Sequence, residues 1–80
     1  MEDADVLRHI ETLVEEERQL RRQEEDGTAG AAGRVRLGEV QVALDRAWDL
    51  LRQRRGMRDR GEDPNDASER PAEVVEHYQQ

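Results

Sequence analysis

The chain has 80 residues, a formal net charge of −7 and no cysteine. That length allows one domain at most, with little buried surface unless a staple or a partner is added. The absence of Cys excludes disulfides and thiolate–metal sites. The N-terminus, Met1 to Asp5, is acidic and lacks the apolar stretch of a signal peptide, and no apolar run approaches the roughly 20 residues of a membrane span. A cytoplasmic protein with no membrane association is expected.

Leu, Ile, Val and Phe make up only 15 of the 80 residues, a composition close to that of disordered chains. Periodicity argues otherwise for the first 60 residues. The first helix is expected over residues 3–25, with Asp3 as N-cap and Asp5 in the first turn, where negative charge suits the helix dipole. Val6, Leu7, Ile10, Leu13, Val14 and Leu20 recur at steps of three and four and mark one face. Glu17 interrupts that stripe and is placed to pair with Arg21 one turn on. Residues 26–33, with three glycines, read as a loop that reverses the chain.

The second helix is expected over residues 34–60. Leu37, Leu44 and Leu51 are seven apart, and so are Val40 and Ala47, which makes a short coiled-coil-like seam beside Trp48. Gly61 and then Pro64 should end it. Residues 61–80 begin as a linker, and Pro71 is placed to open a last short helix over residues 71–78. So short a helix is ordered only by docking, for which Val74, Val75 and Tyr78 supply one face, with Trp48 or Met57 as receivers.

These elements predict an all-α fold: an antiparallel helix–loop–helix hairpin, residues 1–60, with a C-terminal tail, residues 61–80. Closing the hairpin near residue 29 sets the arginine-rich end, Arg52 to Arg58, beside Glu2, Asp3 and Asp5. The apolar arcs are wider than one seam can bury. The expected solution is a homodimer, a four-helix bundle, with Val6, Ile10, Leu13, Val14, Leu37, Val40, Leu44, Trp48 and Leu51 in the core or the dimer interface.

Catalytic chemistry finds no footing. Glu15, Glu16 and Glu17 are consecutive on a helix and point apart. Ser68, Thr12 and Thr28 have no activating His at a recognisable spacing, and the glycine loop lacks a phosphate-loop ending. His9 and His77 are preceded at four residues by Asp5 and Glu73, a salt-bridge spacing, and not by the Glu-x-x-His pattern of metal-binding bundles. No enzyme, metal or cofactor is expected. The arginine cluster is the strongest local charge signal, and Arg52, Arg54, Arg55 and Arg58 are the candidate phosphate contacts if the chain binds nucleic acid. The overall charge of −7 opposes such a partner, and no aromatic residues interleave the arginines. A protein-interaction or structural module, with an unidentified protein partner, is therefore the preferred reading.

The run Leu44-Asp45-x-x-Trp48-Asp49-Leu50-Leu51-Arg52-Gln53-Arg54-Arg55 and the ending Arg70-Pro71-x-x-Val74-Val75-Glu76-x-Tyr78 resemble a family of short actinobacterial proteins of unknown function. The segment Ile10-Glu11-x-Leu13-Val14-x-Glu16-Glu17 is similar too, so the resemblance covers most of the chain. It departs in the loop, which is less charged here, and at Gly56, where the family has Ala. The resemblance implies no activity. It implies that the Trp48 region and the tail belong to one design.

Overall fold

The computed structural model describes residues 1–78, with side chains through Glu76. It holds two long helices, α1 (Asp3–Glu25) and α2 (Gly30–Asp59), then a 3-10 turn (Pro64–Asp66) and a short helix α3 (Ala72–Tyr78). The long helices pack as an antiparallel hairpin, and the two later elements pack against α2, not α1. The longest dimension is 49 Å, close to the ~45 Å expected for a 30-residue helix, so α2 runs the length of the molecule.

The N-cap of α1 is Glu2, one residue before the expected cap Asp3. Asp5 accepts a hydrogen bond from the Glu2 backbone N–H at 2.8 Å and ion-pairs with Arg8. It is therefore spent on the helix start and does not serve His9, the partner its spacing suggested. Glu17 and Arg21 approach to 3.4 Å.

The chain reverses over a shorter stretch than the sequence suggests. α1 ends when Gly27 takes a φ of 78°, with Gly27 N–H donating to Glu24 O and Thr28 N–H to Gln23 O, the paired bonds of a Schellman cap. Gly30 (φ 67°) completes the reversal, and α2 starts at that residue instead of Arg34. The reason is local. Only two of the three loop glycines adopt left-handed backbone. Ala31 and Ala32 are the strongest helix formers available, and Gly33 N–H already donates to Ala29 O at 3.2 Å. At the other end Gly61 has φ 77°, and Glu62 N–H and Gly61 N–H donate to Met57 O and Arg58 O, a second Schellman cap that turns the chain into the tail.

The core is the hairpin seam: Val6, Ile10 and Leu13 from α1 against Val40, Leu44, Ala47 and Leu50 from α2. Leu37 is also buried; Val14 and Leu51 are half-buried. Trp48, expected in the core or the dimer interface, lies outside the hairpin core and stands 42% exposed. The innermost heptad line is Val40–Ala47–Arg54, the three most buried of these α2 residues, and Leu37–Leu44–Leu51 lies on its flank. Trp48 is one step further out. Ion pairs clip the seam near both ends, Arg36 with both carboxylate oxygens of Glu16 at 2.7 and 2.9 Å, and Arg54 with Asp3 at 2.7 Å.

Replacing Gly61 by Ala should destabilise the fold by about 1–2 kcal/mol, the cost of forcing a Cβ into left-handed backbone. Urea unfolding of Gly61→Ala measures this; Gly38→Ala, at an open and regular helical position, should instead be neutral or stabilising.

Candidate functional site

The segment of α2 from Asp45 to Arg58 is where the helix, the N-terminus and the tail converge. Helical spacing divides it into three sides. The first faces α1. Ala47 and Leu50 are buried there, and Arg54, only 2% exposed, donates from Nε to Asp3 Oδ1 at 2.7 Å. The same guanidinium donates from Nη1 to Pro64 O at 3.0 Å and to Asn65 Oδ1 at 3.2 Å. Arg58 donates to the other Asp3 oxygen at 2.9 Å. Arg54 thus ties the first turn of α1 to the 3-10 turn of the tail. The turn is preformed for it, because the Asp63 side chain accepts from Asn65 N–H and Pro64 fixes the first position.

The second side holds the tail. Asp49 is 2% exposed. Arg70 grips both its oxygens, from Nε at 2.9 Å and from Nη2. Gln53, one turn on, donates to Asp49 Oδ2 and to Ser68 O, both at 3.0 Å. Arg46, one turn back, donates to Arg70 O at 3.0 Å and pairs with Glu69 at 3.5 Å. Three side chains on one flank of α2 therefore bind the tail backbone and its one arginine. Among the described residues, no buried side-chain nitrogen or oxygen lacks a partner, which is the condition for such a network to stabilise. Apolar contact is modest. Ala67 packs on the core and Val75 is buried, whereas Val74 stays 38% exposed. The Tyr78 side chain, expected on the same docking face, lies outside the described residues.

The third side is open. Trp48, Arg52 and Arg55 are exposed, and neither arginine makes a hydrogen bond or ion pair among the described residues. Of the four candidate phosphate contacts, Arg54 is inside the fold and Arg58 is engaged by Asp3. The sequence sets Arg54 beside the N-terminal acids, and it does pair with Asp3, but its burial is not foreseen, because periodicity alone does not show that a tail returns over it. It also missed Arg70 and Gln53. The available signal was Asp49 itself, a carboxylate in an apolar run and 21 residues from the only arginine of the tail.

The charges are tuned by these contacts. The Arg70 hydrogen bond holds the Asp49 carboxyl below its ordinary value, and the Arg54 hydrogen bond does the same for Asp3, in both cases against the opposing effect of burial. On α3 the Glu76 carboxyl is pushed up by its side-chain hydrogen bond with Asp45 of α2. No group of three or more His, Cys, Asp or Glu side chains converges as a metal site would require among the described residues, and no helix is long and apolar enough to cross a membrane.

The arrangement defines a class of protein: a tail-latched α-hairpin in which one helix binds the core, the tail and an open surface on separate sides. The chain belongs to the family described as Protein of unknown function (DUF2630), which it matches over residues 2–80. It is 44% identical over 77 residues to uncharacterized protein Rv0898c of Mycobacterium tuberculosis (strain ATCC 25618 / H37Rv), covering 95% of this chain and 88% of that protein. Uncharacterized protein Mb0922c of Mycobacterium bovis shows the same identity and coverage. No solved structure matches. The family resemblance rested on two motifs, and the geometry joins them: Asp49, Gln53 and Arg54 of the first hold Arg70 and the residues leading to it.

Two outcomes follow. A carboxyl whose folded pKa is depressed stabilises the fold above its unfolded value, 3.8 for Asp, and loses that contribution as pH falls through the folded value. Stability in urea should therefore be flat from pH 7 to about pH 5 as far as Asp3 and Asp49 are concerned, and should fall below about pH 4. Glu76 has the opposite sign. Its raised folded pKa weakens α3 at neutral pH and ceases to do so once it is protonated, so Glu76→Gln should raise the helical carbon chemical shifts of residues 72–76 at pH 7.

Proposed function

We propose that the protein is a non-catalytic interaction module of the cytoplasm that acts as a homodimer, two hairpins forming a four-helix bundle, and presents that bundle to a protein partner. The observation that carries the reading is Trp48. In a chain with two aromatic residues, the one tryptophan is 42% exposed, on the side of α2 that the tail leaves open. Leu7 of α1 is 41% exposed. Half-buried Val14 and Leu51 lie at the seam between them and the core. Trp and Arg are the residues most enriched in interface hot spots, and large apolar side chains left open on so small a surface favour a partner. Symmetric pairing is the commonest way for a hairpin to cover them.

A nucleic-acid contact is the rival reading. One feature favours it: Trp48 stands beside Arg52 and Arg55, an aromatic platform with two exposed guanidiniums that make no hydrogen bond or ion pair among the described residues. Two cations and one ring are a small site, however, and the charge of −7 repels a polyanion at long range.

Sedimentation at micromolar concentration tests the reading. The wild type should be a dimer, and its Trp48 fluorescence should shift to shorter wavelength with increasing concentration as the ring leaves water. Trp48→Asp should sediment as a monomer with an unchanged helical circular dichroism spectrum. Leu44→Asp would not discriminate, because Leu44 belongs to the hairpin core. A wild type that stays monomeric at about 100 μM with a red-shifted tryptophan would overturn the dimer. Submicromolar, salt-sensitive binding of single-stranded DNA or RNA, lost on Arg52→Glu, would favour the rival.

A further inference from the structure

α1 and the 3-10 turn each pack on α2 but not on each other. Arg54 is what joins them. Its Nε donates to Asp3 Oδ1 at 2.7 Å, and its Nη1 donates to Pro64 O at 3.0 Å and to Asn65 Oδ1 at 3.2 Å. Asp3 is the one carboxylate that this guanidinium contacts among the described residues. Its two acceptors on the tail are a backbone carbonyl and a side-chain amide, neither of which carries a charge.

A guanidinium sealed from water needs an anion beside it. When Asp3 moves away, only dipoles face the charge, and the long side chain regains its hydration by swinging into solvent. That movement breaks both of its bonds to the tail. The converse holds as well. When the 3-10 turn lifts, water reaches Arg54 and weakens its attraction for Asp3. Each segment is otherwise lightly held. The remaining ion pair of Asp3, with Arg58, is exposed and of small worth. The 3-10 turn has its own Asp63 cap and the half-buried Ala67. Residues 60–63 tether the turn to the end of α2, so a lifted turn returns to the same place.

We propose that Arg54 makes the first turn of α1 and the start of the tail one conformational switch, closed together or open together. A partner that draws Asp3 away releases the 3-10 turn without touching it. A partner that lifts the turn loosens the start of α1 by the same factor, as linkage requires. The Asp49–Arg70 pair is a separate latch further back along α2, so the α3 end of the tail stays closed when the switch opens. The coupling is internal to one chain and holds for monomer and dimer alike.

A single-thiol reporter tests the coupling. The chain has no cysteine, so Ala67→Cys reports opening of the turn through its rate of reaction with an aromatic disulfide. Adding Asp3→Ala should speed that reaction about tenfold, within the usual range of coupling between sites, while the amides of Val40 and Leu44 in the seam keep their exchange rates. With Arg54→Met also present, Asp3→Ala should no longer change the rate, because the connection is gone. The switch is also read from its other end, in a variant that does not require Asp3→Ala to fold. Asp63→Ala removes the cap of the 3-10 turn, and Asp63 makes no hydrogen bond or ion pair with α1. It should speed exchange of the Asp5 and Val6 amides, which donate to Glu2 O at 3.0 and 3.4 Å. A labelling rate that Asp3→Ala leaves unchanged, an increase matched by the seam amides, or the same increase in the Arg54→Met background would overturn the switch. So would Asp5 and Val6 amides that are indifferent to Asp63→Ala.

Discussion

Asp49 sets the terms on which the rest of the structure is assembled. A charged carboxylate nearly sealed from water is tolerated only when a cation and hydrogen-bond donors surround it. Its own helix supplies Gln53, one turn away, which leaves the charge unbalanced. The balance comes from Arg70, in a tail that has no means of folding by itself. Removing one member of such a pair typically costs about 3–5 kcal/mol, because the other stays buried and unpaired, although the half-exposed Arg70 places this case toward the lower end. The tail in turn offers three backbone carbonyls, of Pro64, Ser68 and Arg70, to side chains of α2. Val75 and Ala67 alone are too little apolar surface to hold it. Polar recognition therefore orders the tail, and the apolar contacts follow from it.

The same constraint decides what remains available on the surface. With the α1 side taken by the core and the adjoining flank by the tail, the Trp48 side of the Asp45–Arg58 segment is left exposed among the described residues. Arg54 shows how the two tasks are linked, since one guanidinium closes the open end of the hairpin on Asp3 and receives the start of the tail. Arg52 and Arg55, one turn apart and alike in chemistry, make no hydrogen bond or ion pair among the described residues. The arginine run is thus two sets of residues in different surroundings, and a charge count over residues 52–60 does not distinguish them.

The helices and their antiparallel pairing were legible in the sequence because steps of three and four are a direct image of a buried face. The seam was legible only in part. Both heptad lines of α2 are visible as spacing, but which line is central depends on how closely the helices approach. Ala47, small enough to allow close approach, puts its own line inside and Trp48 outside. The loop was read too long because glycine was weighed alike at all three positions, although backbone geometry uses only Gly27 and Gly30. The latch was beyond reach of local pattern, since Asp49 and Arg70 are 21 residues apart and share no periodicity. The two family motifs pointed at its two halves without stating that they touch.

Amide hydrogen exchange across the tail tests the latch most directly. In the wild type at pH 7 the amides of Val74 and Val75, which donate to Pro71 O at 3.0 and 3.3 Å, should exchange more slowly than the linker amide of Asp63. In Arg70→Ala that protection should collapse to the linker rate, while the amides of the seam between Ile10 and Leu44 keep theirs. Tail amides that exchange at the linker rate in the wild type, or that keep their protection when Arg70 is removed, would contradict an ordered tail held by Asp49.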